Sequence, residues 1–130
     1  MNTYARYLPA LGRLLIAVLF LLSGLNKLAA PAATQAYITS AGLPFPFLAY
    51  LMAVIVEIGG SVLLILGFQT RIVALIMALF TLAAALSFHR NFADQNQMIH
   101  FLKDVAIAGG LLQIAAYGAG GLSIDSRRAR

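Results

Sequence analysis

The chain has 130 residues, of which 62% are hydrophobic and 10% charged, with a formal net charge of +5 and no cysteine. Soluble domains hold about 45–50% apolar and about 25% charged residues, and a domain this small leaves about a third of its surface facing solvent, so the solvent expected here is lipid. The lack of cysteine excludes structural disulfides, thiol relays and thiolate-held metal or iron–sulfur centres within the chain.

Four apolar runs follow in order, at about residues 11–29, 45–67, 72–88 and 100–117. Each is close to the ~20 residues a helix needs to cross a hydrocarbon core. A helix is the single-segment structure that satisfies its own backbone there. Between the first two runs, "PAATQAYITSAG" is too short and too polar to span, and reads as a short helix lying at the interface. "AGLPFP" then stops one element and starts the next. "GFQTR" is so short a turn that the second and third helices must form an antiparallel hairpin. "HRNFADQNQM" is a polar connection, and Asp94 within it reads as a loop residue. The expectation is an all-α integral membrane bundle of four antiparallel helices, in one domain over residues 1–130. The N-terminal run has the outline of a secretory signal, with "LAAPAA" offering small residues for cleavage. Lys27 interrupts it just before that point and three further spans follow, so the first run is expected to stay as a helix.

The basic residues sit at the ends of runs and in the tail "SRRAR", without the interleaved aromatics of a nucleic-acid surface, so no nucleic-acid partner is expected. With both termini in the cytoplasm, that side carries Arg6, Arg13, Arg71, Arg127, Arg128 and Arg130, against Lys27, Arg90 and Lys103 outside. Six against three favours this orientation. The five tyrosines, Tyr4, Tyr7, Tyr37, Tyr50 and Tyr117, fall at or beyond the run ends, as interfacial anchors do.

Glu57 stands alone near the middle of the second run, in "VIVEIGGSVLL". An ionisable group at that depth is a functional or paired residue by default. About eleven residues into its helix, it lies roughly 16 Å from the outer end at 1.5 Å per residue. The outer basic groups are then too distant, and Arg13, entering from the cytoplasmic side, is the expected partner in an intramembrane charge pair. The alternatives are a neutral, register-fixing carboxyl and a titrating site. Gly24 in the first run, Gly59 and Gly60 next to Glu57, and Ala106 and Gly110 four apart in "AIAGG" are candidate close-packing positions, as small residues let helices approach in lipid.

Lys27, His89, Arg90 and Lys103 come from three helices to one outer level, with His100 and Asp104 beside them. They read either as snorkelling anchors or as donors for the headgroup of a quinone or lipid. No catalytic motif is present: there is no phosphate-binding glycine loop, no HExxH and no nucleophile elbow. His89 and His100 lack ligand spacing, so no metal site is expected.

The stretches "GRLLIAVLFLLSGLNKL", "YITSAGLPFP", "VEIGGSVLLILGFQTR", "SFHRNF" and "FLKDVAIAGGLLQIAAYGAGGLSID", in this order, resemble the DoxX family of small bacterial membrane proteins over nearly the whole chain. Arg13, Gly24, Lys27, Glu57, Gly60, Gly67, Arg71, His89, Lys103 and Asp125 sit where the family pattern places such residues. The resemblance implies a four-helix bundle in the bacterial inner membrane and a loose link to redox and oxidative-stress biology. It implies no catalytic residue. The first functional reading is a non-catalytic accessory subunit, embedded in the bilayer, with a quinone or lipid headgroup site and a redox protein partner. The second is a small homo-oligomeric proton-coupled transporter using Glu57, for which a dimer would be needed and no inverted repeat is visible. The third is a membrane assembly scaffold.

Overall fold

Where water is absent, every backbone N–H and C=O must be satisfied within the segment, and the apolar runs accordingly form long helices. The computed structural model describes residues 3–88 and 93–128. In chain order the elements are α1 (Thr3–Ala29), α2 (Pro31–Ser40), α3 (Pro46–Val54), a single π turn (Ile55–Gly59), α4 (Gly60–Leu66), α5 (Thr70–Phe88), α6 (Gln95–Tyr117) and the short α7 (Ile124–Arg128). Among the described residues there are no strands, and four helices are long and apolar enough to cross a membrane; α3, the π turn and α4 run together as one of them, Pro46–Leu66.

Local chemistry sets the breaks. Ala30 leaves helical geometry at φ −138° and Pro31 restarts the chain as α2. Phe45 is left-handed and Pro46 opens α3; proline suits a first helical turn because its missing N–H is not needed there. At the other end of this span Gly67 takes φ +70°, and the N–H groups of Gly67 and Phe68 both donate to Leu63 O, at 2.8 and 3.0 Å. That closes α4 and turns the chain into α5 within three residues. Asp94 is not an idle loop residue: its carboxylate accepts from Asn96 N at 2.9 Å and caps α6. The cap lets α6 start five residues before the apolar run does.

The helices pack through small residues. Ala17, Phe20, Leu64, Met77, Ala108 and Leu111 belong to one buried cluster joining α1, α4, α5 and α6, and α5 and α6 form the most extensive helix pair. Alanines at positions 74, 78 and 85 keep the inner face of α5 narrow, as expected where helix association depends on close packing rather than on escape from water. Leucines at positions 15, 19 and 22 of α1, with Ile55, Leu79 and Leu86, point outward. Four tyrosines are exposed, whereas Tyr50, expected at the interface, is buried inside α3.

Of the candidate packing positions, Gly24 and Gly60 are in close contact. A Cβ on Gly24 would come 3.2 Å from Glu57 Cβ and 2.5 Å from Ile58 Cγ1, and one on Gly60 would meet Met77 Sδ at 2.8 Å. Gly110 faces Ile16 Cδ1 at 3.4 Å. Gly59 faces open space and Ala106 is exposed. The first two spans therefore approach through Gly24 of α1, while Gly60 serves the contact with α5.

Candidate functional site

The buried charges of the bundle sort into two clusters at different levels. Arg13 is 2% exposed. Its guanidinium donates to Leu64 O at 2.7 Å and Ile65 O at 3.3 Å through one nitrogen, and to Leu122 O at 2.5 Å through the other. These carbonyls belong to the last turn of α4 and to the tail. A helix C-terminus leaves such carbonyls without intrahelical partners, and the planar fork of arginine suits them. Asp125 completes this end: its carboxylate accepts from Gln69 N and Thr70 N, both at 2.8 Å, and its own N–H donates to Gly67 O at 2.9 Å. The tail after α6 is thereby tied across the α4–α5 turn, with a carboxylate against the first N–H groups of α5. The sequence places Asp125 in "SID" but gives no sign of this partner, because the contact spans more than fifty residues.

Glu57 lies elsewhere, and the Arg13 pairing expected from the sequence is not the one formed. Lys27 Nζ is 3.0 Å from Glu57 Oε1 and 2.9 Å from Oε2. Ser23 Oγ donates to Oε1 at 2.8 Å and accepts from Lys27 Nζ at 2.9 Å. Two geometric causes account for the exchange of partners. Glu57 is level with Gly24, which is five residues from the end of α1, whereas Pro46 is eleven residues before Glu57. At 1.5 Å per residue the second span rises roughly 9 Å beyond the end of α1; the sequence reading assumed the two ended together. In addition, helical side chains lean toward the helix N-terminus. Lys27 therefore reaches back down α1 toward Ser23 and Glu57, and Arg13 reaches away from Glu57 toward the end that holds both termini.

The π turn frames the carboxylate. One wide turn in an otherwise α-helical span re-aims the side chains around it and is frequent at functional sites. Here it carries Glu57 itself, and the Ser61 hydroxyl donates to the Glu57 backbone oxygen. Glu57 is 5% exposed, and Lys27 Nζ bridges both of its carboxylate oxygens.

Beside this cluster lies a cavity of about 450 Å³. It is bounded by Ser23 and Lys27 of α1, Tyr37 of α2, Glu57, Phe88 of α5 and Asp104 of α6. Its walls are otherwise mostly apolar, with small residues such as Ala53 and Ala84 leaving the space. The Tyr37 and Phe88 rings stack at 5.0 Å between centroids and 13° between planes, joining α2 to the end of α5. Of the proposed headgroup donors, Lys27 borders this cavity, Lys103 is exposed and does not line it, and His89 and Arg90 lie outside the described residues. His100 is exposed. No group of three or more His, Asp or Glu side chains gathers among the described residues to hold a metal ion.

The DoxX family model matches residues 8–90. The chain belongs to the DoxX family. It is 39% identical over 113 residues to inner membrane protein YqjF of Escherichia coli strain K12, covering 87% of this chain and 85% of that protein. It is 34% identical over 122 residues to inner membrane protein YphA of the same strain, covering 90% and 87%. No solved structure matches. With four apolar helices and inner-membrane relatives, this DoxX protein is a multi-pass inner-membrane protein.

Proposed function

We propose that this DoxX protein is a non-catalytic accessory subunit in membrane redox or oxidative-stress biology, holding the headgroup of a quinone or lipid in the cavity beside Lys27 and Glu57. The observation that carries the reading is the cavity itself: about 450 Å³, mostly apolar, with a partly buried ion pair on one wall. Small-molecule sites have this make-up, with volumes of about 300–1,000 Å³ and a few convergent polar groups. The headgroup site is thereby drawn inward from the outer basic level, with Lys27 the member of that level that takes part. Electrons would be supplied by a redox protein partner, and the DoxX chain would position the lipid-soluble molecule.

The test is retention of quinone. The purified protein is loaded with a short-tailed quinone, passed through gel filtration, and the bound quinone read by its absorbance. Wild type should retain it, and Lys27→Leu should lose most of it. Equal retention by both, or none by wild type, refutes the reading.

A further inference from the structure

Most hydrogen-bond donors along the cavity are already spent on the protein. Lys27 faces three acceptors, Ser23 Oγ at 2.9 Å and the two Glu57 oxygens at 3.0 and 2.9 Å, which matches the three protons of an ammonium. Ser23 donates to Glu57 Oε1. The Thr34 and Thr81 hydroxyls donate four residues back, to Ala30 O and Met77 O at 2.8 and 2.7 Å, a common recourse of a hydroxyl within a helix. Thr39 and Ser61 do the same. Two hydroxyls that line the cavity are left over: Tyr37 of α2 and Ser87 of α5 make no side-chain hydrogen bond among the described residues. They belong to one corner. Ser87 precedes Phe88, and the Phe88 ring stacks on Tyr37 at 5.0 Å, which holds the phenol of α2 against the end of α5.

We infer that Tyr37 and Ser87 hold the head of the ligand, each donating its hydroxyl to a carbonyl oxygen. A hydroxyl without a partner in apolar surroundings carries the cost of its desolvation, and a carbonyl removes that cost by accepting. The carbonyl can belong to a quinone ring or to the acyl ester of a lipid. Either brings an apolar body, for which Phe20, Met52 and Phe80 supply the wall. The Lys27–Glu57 pair then fixes one wall and the two hydroxyls read the head; Lys27→Leu loses the ligand by baring the Glu57 carboxylate to the cavity. The inference rests on the reading of the cavity as a headgroup site, and adds the residues that grip the head and the chemical group they grip.

Calorimetric titration of the full chain in detergent separates the two claims. Tyr37→Phe keeps the ring that stacks on Phe88 and removes only the hydroxyl, and Ser87→Ala removes the other with little change of shape, so both variants should keep the thermal midpoint of the wild type. The probes are a decyl-tailed quinone, the decyl-tailed benzene carrying methyl groups in place of the quinone oxygens, and dioctanoylphosphatidylethanolamine. The quinone should bind each variant about three- to tenfold more weakly than wild type, the loss expected for one hydrogen bond, while the alkylbenzene binds all three forms alike. The same weakening for the phospholipid, with the quinone unbound, assigns the carbonyl to an acyl ester and keeps the inference. Equal affinity of the bound quinone or phospholipid for all three forms overturns the role of the hydroxyls and leaves the headgroup site standing. Parallel weakening of the alkylbenzene also overturns it, since the two side chains then act by shape. No binding of any probe by wild type overturns both claims.

Discussion

Replacing Lys27 with methionine tests the ion pair on which the account turns. Methionine keeps the length of the aliphatic stem and removes the ammonium, leaving the carboxylate of Glu57, 5% exposed, with only Ser23 as a donor. Breaking a buried pair from one side costs about 3–5 kcal/mol. Lys27 retains 28% side-chain exposure, and screening of a partly exposed partner lowers the expectation to about 2–3 kcal/mol. Glu57→Leu should likewise destabilise, by stranding Lys27 at the same depth. The double variant should recover part of the loss, with a coupling of about 1–3 kcal/mol. Unfolding in mixed micelles with increasing denaturing detergent measures all four forms. The same cycle run on Arg13→Met and Glu57→Leu should be additive within about 0.5 kcal/mol, since those two side chains bond to separate partners. Additivity for Lys27 and Glu57, or strong coupling for Arg13 and Glu57, would refute the partner assignment.

Other substitutions probe the framework. Asp125→Ala should lower stability by about 1–2 kcal/mol, the loss expected on removing a helix-capping carboxylate, read as a fall in thermal midpoint, with Asn at the same position milder. Gly24→Val should destabilise by about 1–3 kcal/mol, since even a Cβ there meets Ile58 and Glu57; Gly59→Ala, which meets nothing within 4 Å, should be neutral or stabilising by up to about 1 kcal/mol. A reporter active only outside the cytoplasm, fused after Arg130, should be silent if the six-to-three distribution of basic residues orients the bundle as expected.

The spans were legible because apolar length answers directly to bilayer thickness, and α2 was legible because "PAATQAYITSAG" is bounded by its own breaks. The start of α6 was missed although "ADQNQ" carries a capping residue, since the polar composition of that stretch hid a helix that begins before the apolar run. The charge pair was misread for a different reason. Sequence gives the distance along each helix but not the offset between helices, and it is the offset that brings Lys27 level with Glu57. The lean of side chains toward the helix N-terminus was available in principle and would have turned Arg13 away from Glu57. The π turn left no mark in the apolar pattern, and neither the cavity nor the tie between Asp125 and the α4–α5 turn follows from local composition, because both are made by residues far apart in the chain.

The most direct measurement of the central claim is mass spectrometry of the small molecules that accompany the protein from its native membrane, compared between wild type and folded Ala84→Phe. The account predicts one amphipathic species, a quinone or a lipid, held in near-stoichiometric amount by the wild type and lost when the cavity is filled. The same profile of bulk lipid from both proteins would contradict it.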